Sequence, residues 1–205
     1  MKIKVCGMKY PDNIKEVNQL PIDMMGFVFY DKSPRYIDNL SPDVMKTINP
    51  EIRRTGVFVD ASIEKIQEAV YRYSLDIVQL HGNESPEFCQ SLKQNDIKLI
   101  KAFSIEVPED FNPTKLYENQ IDYFLFDTKT AQYGGSGRKF DWEILSFYQG
   151  NIPFILSGGI NESDTDRIKN IKHPAFAGID LNSRFELSPG LKDIKKLNKF
   201  VQHIK

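Results

Sequence analysis

The sequence predicts a parallel (β/α)8 barrel, or TIM barrel, that occupies residues 1–205 as a single domain. Eight short β-rich runs alternate with segments of helical spacing. The runs are nearly continuous in apolar character, as in strands that are covered on both faces. Eight strand–helix units in this length average about 25 residues each, close to the lower size limit of such barrels. No GxGxxG motif follows the first run, which argues against the rival interpretation, an open doubly wound sheet.

The eight predicted strands are, in chain order, KIKVC, MMGFVF, TGVFV, DIVQL, IKLIKAF, DYFLFD, PFILS and AFAGID. Between them, SIEKIQEAVYRYS repeats its apolar residues at helical spacing, with Ser62 as the predicted N-cap. NESDTDRIKNI and LKDIKKLNKFVQHI have the same pattern. SPDVMKTI and SPEFCQSLKQ both begin with Ser-Pro, which suits an N-cap followed by proline at the first helical position. VPEDFNPTKLYENQ has only a poor helical pattern.

Composition narrows the possible partners. Lysine plus arginine (27) nearly balances aspartate plus glutamate (28), so no overall field favours nucleic acid or an anionic membrane. No run approaches the roughly 18 apolar residues of a membrane span, and the N-terminus lacks the apolar core of a signal peptide. The two cysteines, Cys6 and Cys89, form no CxxC pair. We therefore expect a reduced, cytoplasmic protein that acts on a small molecule.

Polar residues follow the predicted strands, where catalytic groups of parallel barrels stand. These residues are Cys6, Arg35 in the loop DKSPRY, Asp60, Gln79, His81, Lys101, Asp127, Gly158, Gly159 and Asp180. Each has a structural explanation when taken alone. Asp127 could cap a turn, Lys101 could be a charge-paired rim residue rather than a Schiff-base lysine, and His81 could bond a neighbouring loop rather than a substrate hydroxyl.

Two loops together predict a phosphate site. LSGGI runs from the seventh strand into a predicted helix, so the backbone N–H groups of Gly158, Gly159 and Ile160 would meet an anion at a helix N-terminus. The eighth strand continues as GIDLNSRFE and brings Asn182 and Ser183 to the same end. Phosphate sites after strands seven and eight recur in this architecture. The GGSG stretch at residues 134–137 lacks the Lys-Ser/Thr of a Walker A loop and suggests instead a flap that closes over a ligand.

Taken in order, KVCGM, SPRY, GVFVD, VQLHG, FDT with GGSGRKFDW, LSGGI and GID resemble the phosphoribosylanthranilate isomerase family over nearly the whole chain. The resemblance implies the barrel fold, without metal or organic cofactor. It also implies an Amadori rearrangement in tryptophan biosynthesis, in which N-(5-phosphoribosyl)anthranilate becomes 1-(2-carboxyphenylamino)-1-deoxyribulose 5-phosphate. Whether the protein is a monomer or a homodimer stays open.

The resemblance also implies roles for particular residues. Cys6 corresponds to the general base and Asp127 to the general acid. Arg35 corresponds to the partner of the anthranilate carboxylate. Gly158, Gly159 and the strand-eight loop with Asp180 correspond to the surroundings of the phosphate. The chain departs from the family pattern at Lys9, Asn182 and Arg184, where threonine, serine and glycine are usual.

Lys4 lies two residues before Cys6, on the same strand face, so we expect its ammonium to favour the thiolate. Two other functions remain open. One keeps the phosphate site and changes the chemistry, as in an indole-3-glycerol phosphate synthase or an aldolase that works through Lys101. The other is a barrel that binds a sugar phosphate without turnover.

Overall fold

A computed structural model describes residues 1–93, 97–128 and 142–205. The GGSG segment lies outside the described residues, so its role as a flap stays a prediction. Eight parallel strands form a closed barrel in the order of the chain, which confirms the predicted fold class. The strands are β1 (Lys2–Val5), β2 (Met24–Val28), β3 (Arg53–Phe58), β4 (Ile77–Leu80), β5 (Lys98–Ile105), β6 (Tyr123–Thr128), β7 (Phe154–Ser157) and β8 (Phe176–Leu181).

The barrel closes between the first and last strands, where Lys4 pairs with Asp180 in register. Alternate residues of each strand point inward. The inward residues form an apolar layer of Met24, Ile77, Ile100, Ala102, Leu125 and Ile155. A second inward cluster contains Cys6, Val28 and Val57 with Tyr30. Outward residues such as Phe27, Phe58 and Phe124 belong to the larger core between the strands and the surrounding helices.

The outer layer contains five α-helices among the described residues: α1 (Pro11–Val17), α2 (Ile63–Tyr73), α3 (Pro86–Lys93), α4 (Thr165–Lys169) and α5 (Ile194–Ile204). Ser62 caps α2 as predicted, since its side chain accepts a hydrogen bond from the Lys65 N–H. SPDVMKTI forms a 3-10 helix, Pro42–Thr47, rather than an α-helix. The weakly patterned segment after β5 is also a 3-10 helix, Pro108–Tyr117, with Pro113 inside it.

A small antiparallel hairpin follows β8 and was not predicted. It consists of β9 (Glu186–Ser188) and β10 (Leu191–Lys192), and its turn contains Gly190 at a φ of +88°. The pairing brings Glu186 and Lys192 side by side at the carboxyl-terminal end of the barrel. Within the described ranges, no helix has the length and apolar character needed to span a bilayer.

Candidate active site

The first strand brings Cys6 to the end of the barrel where the strands terminate. Its backbone N–H donates to the Leu181 carbonyl oxygen at 2.9 Å, and its side chain is only 4% exposed. A Cβ added at Gly26, on the adjacent strand, would lie 2.7 Å from the Cys6 sulfur. The sulfur therefore occupies space that exists because position 26 has no side chain.

Position 7, directly after the cysteine, requires glycine for a different reason. Gly7 adopts a φ of +77°, in the left-handed region that favours glycine. A Cβ there would lie 2.6 Å from Cδ of Arg35 and 2.8 Å from Oδ1 of Asn182. The Cys-Gly pair thus turns the chain after β1 and lets the Arg35 and Asn182 side chains approach the end of that strand closely.

Lys4 lies beneath Cys6 inside the barrel and is buried. Its Nζ donates to Asp180 Oδ2 at 2.9 Å and also interacts with the Cys6 sulfur. Burial lowers the pKa of the Lys4 ammonium, but Asp180 and Cys6 outweigh burial and the net shift is upward, so Lys4 is a cation. The other oxygen of that carboxylate, Asp180 Oδ1, is buried and has no hydrogen-bond partner among the residues that the structure describes.

Lys4 lowers the pKa of Cys6, in the expected direction, but burial has the larger effect on that pKa. Burial raises the pKa of the Cys6 thiol, and the positive charges of Lys4 and Lys192 act against that rise. The net shift is upward, because burial penalises the thiolate by more than the two ammonium groups favour it. Cys6 is therefore a thiol in the unliganded protein at neutral pH.

Asp127 is the penultimate residue of β6 and is in register with Ser157 of β7. Its side chain is 35% exposed, and its Oδ2 lies 3.7 Å from Nε2 of His81. His81 Nδ1 lies 3.1 Å from the amide nitrogen of Gln79. The other ring nitrogen, Nε2, therefore faces Asp127, while Nδ1 faces Gln79.

The predicted phosphate loop borders a cleft that also contains carboxyl groups. The cleft, of about 140 Å³, is lined by Asp127, Ser157, Gly158, Gly159, Ile160, Asp180, Asn182, Ser183 and Arg184. Every residue predicted for the phosphate site thus borders one cleft, together with the predicted acid. Gly158 and Gly159 have φ values of +100° and +63°, in the region that favours glycine, so the chain turns here without side chains beside the cleft.

The chain after the predicted phosphate loop is helical, as expected, but it begins with a 3-10 turn. The segment after Gly159 begins with a three-residue 3-10 helix, Glu162–Asp164, followed by the short helix α4. Asn161 Oδ1 accepts from the Ser163 N–H and Asp164 Oδ2 accepts from the Asn161 N–H. The Asn161 and Ser163 N–H groups are therefore satisfied within the chain, whereas the predicted donors, the N–H groups of Gly158, Gly159 and Ile160, lie in the loop before them.

Arg35 is held by a residue that sequence reasoning missed. Its Nε and Nη2 donate to both carboxylate oxygens of Glu186, at 2.5–3.1 Å. Lys192 Nζ donates to the same carboxylate at 2.8 Å and to Asn182 Oδ1 at 2.9 Å. Glu186 and Lys192 lie on the unpredicted hairpin. In the sequence they are two charged residues in a segment without a strand pattern. The sequence therefore did not indicate that they face each other.

Lys101 and Asp60 lie elsewhere. Lys101 points outward from β5, because its neighbours Ile100 and Ala102 belong to the inward layer. It is buried against Glu84, with an Nζ–Oε2 distance of 3.2 Å. Asp60, at a φ of +49°, accepts a hydrogen bond from the Asn83 N–H and is part of the adjacent loop structure. These contacts argue against a Schiff-base role for Lys101.

A larger cleft, of about 770 Å³, lies at the opposite end of the barrel, around the loops before β7 and β8. Its histidine, His173, accepts from the Ala175 N–H at Nδ1, which leaves Nε2 to donate to the Tyr148 carbonyl oxygen at 2.9 Å. Both ring nitrogens are therefore used in the structure of the chain. The groups with catalytic chemistry are at the other end.

A closed parallel barrel with a thiol and carboxyl groups at the carboxyl ends of its strands is the architecture of (β/α)8-barrel enzymes. The family model described as N-(5'-phosphoribosyl)anthranilate (PRA) isomerase matches residues 3–203. The chain belongs to this family and is an isomerase of tryptophan biosynthesis.

Individual relatives agree. The N-(5'-phosphoribosyl)anthranilate isomerase of Parabacteroides distasonis is 52% identical over the whole chain and 93% of the relative. The crystal structure of phosphoribosyl anthranilate isomerase from Thermotoga maritima has a TM-score of 0.82 at 33% identity, covering 100% of this chain and 98% of that one. A phosphoribosyl anthranilate isomerase in complex with reduced 1-(o-carboxyphenylamino)-1-deoxyribulose 5-phosphate has a TM-score of 0.80 at 29% identity, with the same coverage.

Proposed function

We propose that this chain converts N-(5-phosphoribosyl)anthranilate into 1-(2-carboxyphenylamino)-1-deoxyribulose 5-phosphate, with Cys6 as general base and Asp127 as general acid. The arrangement around Asp180 carries the proposal. Asp180 pairs with Lys4 directly below Cys6, and it borders the cleft that contains Asp127 and the glycine loop. Cys6 does not itself line the cleft, so we propose that the bound sugar phosphate extends from the cleft towards Cys6 and places the sugar between the sulfur and the Asp127 carboxyl group.

The reaction requires one proton delivered and one removed. Asp127, in its protonated form, gives a proton to the furanose ring oxygen, and the C1–O bond breaks to leave a Schiff base. In the fraction of molecules in which Cys6 is ionised, its thiolate then removes the proton on C2, and the resulting enolamine tautomerises to the ketone. No atom is gained or lost, so an acid and a base on opposite sides of one sugar are sufficient.

The two charged ends of the substrate find matching groups. Arg35 is the expected partner of the anthranilate carboxylate, because a guanidinium binds a carboxylate through paired N–H donors. Gly158, Gly159, Asn182 and Ser183 are the expected phosphate ligands, with Asp180 beside the sugar. His81, next to Asp127, is expected to contact a sugar hydroxyl. The reaction on a small phosphorylated molecule fits the cytoplasm.

The test is the loss of phosphoribosylanthranilate fluorescence with purified protein. Cys6→Ala and Asp127→Asn should each lower kcat by about 10²–10⁴, the range for removal of a general acid or base. Cys89→Ala, at the other cysteine of the chain, is the matched control and should retain wild-type kcat. Full turnover in Cys6→Ala or Asp127→Asn would refute the role of that residue.

The same preparation tests the alternatives. Borohydride trapping of a sugar phosphate on Lys101 would favour an aldolase. The ion pair of Lys101 with Glu84 leads us to expect no trapping. Binding of reduced 1-(2-carboxyphenylamino)-1-deoxyribulose 5-phosphate without any turnover of substrate would favour a binding protein.

A further inference from the structure

The four side chains of Arg35, Glu186, Lys192 and Asn182 form a continuous, partly buried chain of hydrogen bonds, here called the Glu186 cluster. We propose that Glu186 and Lys192 are positioning residues that orient Arg35 for the substrate carboxylate and Asn182 for the substrate phosphate. The inference rests on the proposed function, because it concerns the two ends of that substrate. It adds two residues that neither contact the reacting atoms nor were predicted from the sequence.

Glu186 is the centre of the cluster. Its Oε1 accepts from Arg35 Nε (3.0 Å), from Lys192 Nζ (2.8 Å) and from the Gly190 N–H (3.0 Å). Its Oε2 accepts from Arg35 Nη2 at 2.5 Å. Burial raises the pKa of the Glu186 carboxyl, but the hydrogen bonds from Arg35 and the charge of Lys192 outweigh burial, and the net shift is downward. Glu186 is thus a carboxylate that two cations share.

The geometry at Arg35 leaves one edge of the guanidinium available. Glu186 occupies the edge formed by Nε and Nη2, while Nη1 forms no hydrogen bond with any residue that the structure describes. The Arg35 side chain is 20% exposed, whereas that of Glu186 is 4% exposed. A guanidinium has five N–H donors in a fixed plane, so a second carboxylate can bind the edge formed by Nη1 and the remaining Nη2 hydrogen. Glu186 therefore fixes the plane of Arg35 without filling its outer edge.

Lys192 orients the amide at the other end. An ammonium is only a donor, so its hydrogen bond at 2.9 Å identifies the Asn182 atom that it contacts as the carbonyl oxygen. The amide nitrogen must then point the other way, and Asn182 borders the cleft with Gly158 and Ser183. Two N–H donors are thereby presented to an anion. A flipped amide would instead present its oxygen, which repels phosphate.

The cluster is itself held in place and carries excess positive charge. Lys192 is anchored through its backbone, because Asn13 Oδ1 accepts from its N–H (2.7 Å) and Asn13 Nδ2 donates to its carbonyl oxygen (3.1 Å). Two cations and one carboxylate leave a net charge of +1 in a buried position. In this low-dielectric environment the excess charge favours an anionic ligand.

The experiment measures the affinity for each end of the substrate separately. Binding of anthranilate alone reports the Arg35 edge, and binding of ribulose 5-phosphate alone reports the Asn182 side. Glu186→Gln should weaken anthranilate binding by about tenfold or more, as expected for a lost hydrogen bond between charged groups. Lys192→Met should weaken ribulose 5-phosphate binding by a similar factor. Both variants should raise KM for the substrate more than they lower kcat.

A surface pair supplies the matched controls. Lys196 and Glu162 are partly exposed, with 3.9 Å between Nζ and Oε2, and Glu162→Gln and Lys196→Met should leave both affinities at the wild-type value. Because Lys192→Met leaves a buried carboxylate with one partner fewer and could unfold the chain, Glu186→Gln/Lys192→Met serves as a second variant. Removal of both charges is often tolerated, and the double variant should lose affinity for both probes.

The outcomes are distinguishable from failure of the proposed function. If wild-type protein does not turn over phosphoribosylanthranilate, the proposed function fails, and the two binding measurements still test the cluster. If folded Glu186→Gln and the folded double variant bind both probes as wild type does, the positioning role is wrong. A change in thermal stability without a change in either affinity would likewise reduce the cluster to a structural role.

Discussion

Two lysines of the barrel wall are each buried against a carboxylate, on opposite faces of that wall. Lys4 and Asp180 lie inside the barrel, with 2.9 Å between Nζ and Oδ2. Lys101 and Glu84 lie outside it, with 3.2 Å between Nζ and Oε2. All four side chains are at most 6% exposed. Burial and charge are therefore the same in the two pairs, and any difference in role must come from their remaining contacts.

The outer pair has more hydrogen-bond partners than the inner pair. Lys101 Nζ also donates to three carbonyl oxygens, those of Leu80, Gly82 and Ala102, and Glu84 accepts from the N–H groups of Asp60 and Gly82. By contrast, Asp180 Oδ1 has no partner, and Lys4 interacts with Asp180 and the Cys6 sulfur. A buried polar atom without a partner costs free energy, so such an atom at a cleft indicates a ligand site. The contacts of the outer pair indicate a structural role, and we propose that the inner pair belongs to the active site.

The largest effect should come from breaking the outer pair. Lys101→Met should lower the free energy of unfolding by about 3–5 kcal/mol, the usual cost when a buried carboxylate loses its charged partner. The kcat of the molecules that remain folded should be unchanged, because Lys101 points away from the barrel interior. Urea denaturation and turnover normalised to the folded fraction measure the two quantities.

The matched variant on the inner face is Lys4→Met, which should change the pH dependence of activity. Since the charge of Lys4 lowers the pKa of Cys6 against the effect of burial, its removal should move the rising limb of the kcat/KM profile to higher pH. Lys2→Met, on the same strand and further from Cys6, controls for loss of a lysine. A shifted profile in Lys101→Met and none in Lys4→Met would contradict the assignment of the two pairs.

The strands, unlike the side-chain partners, could be predicted from the sequence. All eight apolar runs form strands, because a strand covered on both faces leaves a continuous local pattern. Lys4 could be placed on the face of Cys6 by alternation alone. Its partner Asp180 could not, because that contact depends on closure of the barrel between β1 and β8. The same alternation did not reveal that Lys101 points outward, since a strand pattern does not state which face is inside.

The Glu186 cluster was beyond prediction for a different reason. Its residues are separated by up to 157 positions between Arg35 and Lys192, and they meet through a hairpin whose strands have three and two residues. Strands this short leave no periodic signal. The 3-10 helix after β5 was likewise weak in pattern, because Pro113 and its neighbours do not repeat at the helical period.

Two glycines allow the inner and outer faces of the barrel wall to be compared by adding a methyl group to each. Gly26 and Gly56 are on adjacent strands and face opposite sides of the wall. A Cβ at Gly26 would lie 2.7 Å from the Cys6 sulfur, and one at Gly56 would lie 2.5 Å from Cδ1 of Leu75. Gly26→Ala should lower kcat by about 10–100-fold, since a displacement of roughly 1 Å at a catalytic group can cost 10²-fold.

Gly56→Ala is the matched control, because it crowds the outer core and leaves the sulfur in place. It should reduce the free energy of unfolding by about 1–3 kcal/mol, as overpacking does, with kcat unchanged. Equal kcat in Gly26→Ala and wild type would show that the sulfur tolerates displacement, and Cys6 would then be a poor candidate for a base that must meet C2 of the sugar.

The smallest effect concerns the two cysteines, which also lie on opposite faces. Burial raises the pKa of Cys89 in α3 to about 11, and it also raises the pKa of Cys6. Because a thiol with a raised pKa keeps its proton in the folded state and loses it in the unfolded state, its contribution to stability is complete below the unfolded pKa of about 9. That contribution is lost as the pH rises towards 11.

Cys89→Ala should therefore reduce the fall in unfolding free energy between pH 9 and pH 11, relative to each protein at pH 7. The same variant should leave the pH profile of kcat/KM unchanged. Cys6→Ala should also flatten the stability curve, but it should remove the rising limb of activity. If Cys89→Ala altered the activity profile, the outer thiol would be coupled to the reaction, and the separation of the two faces would not hold.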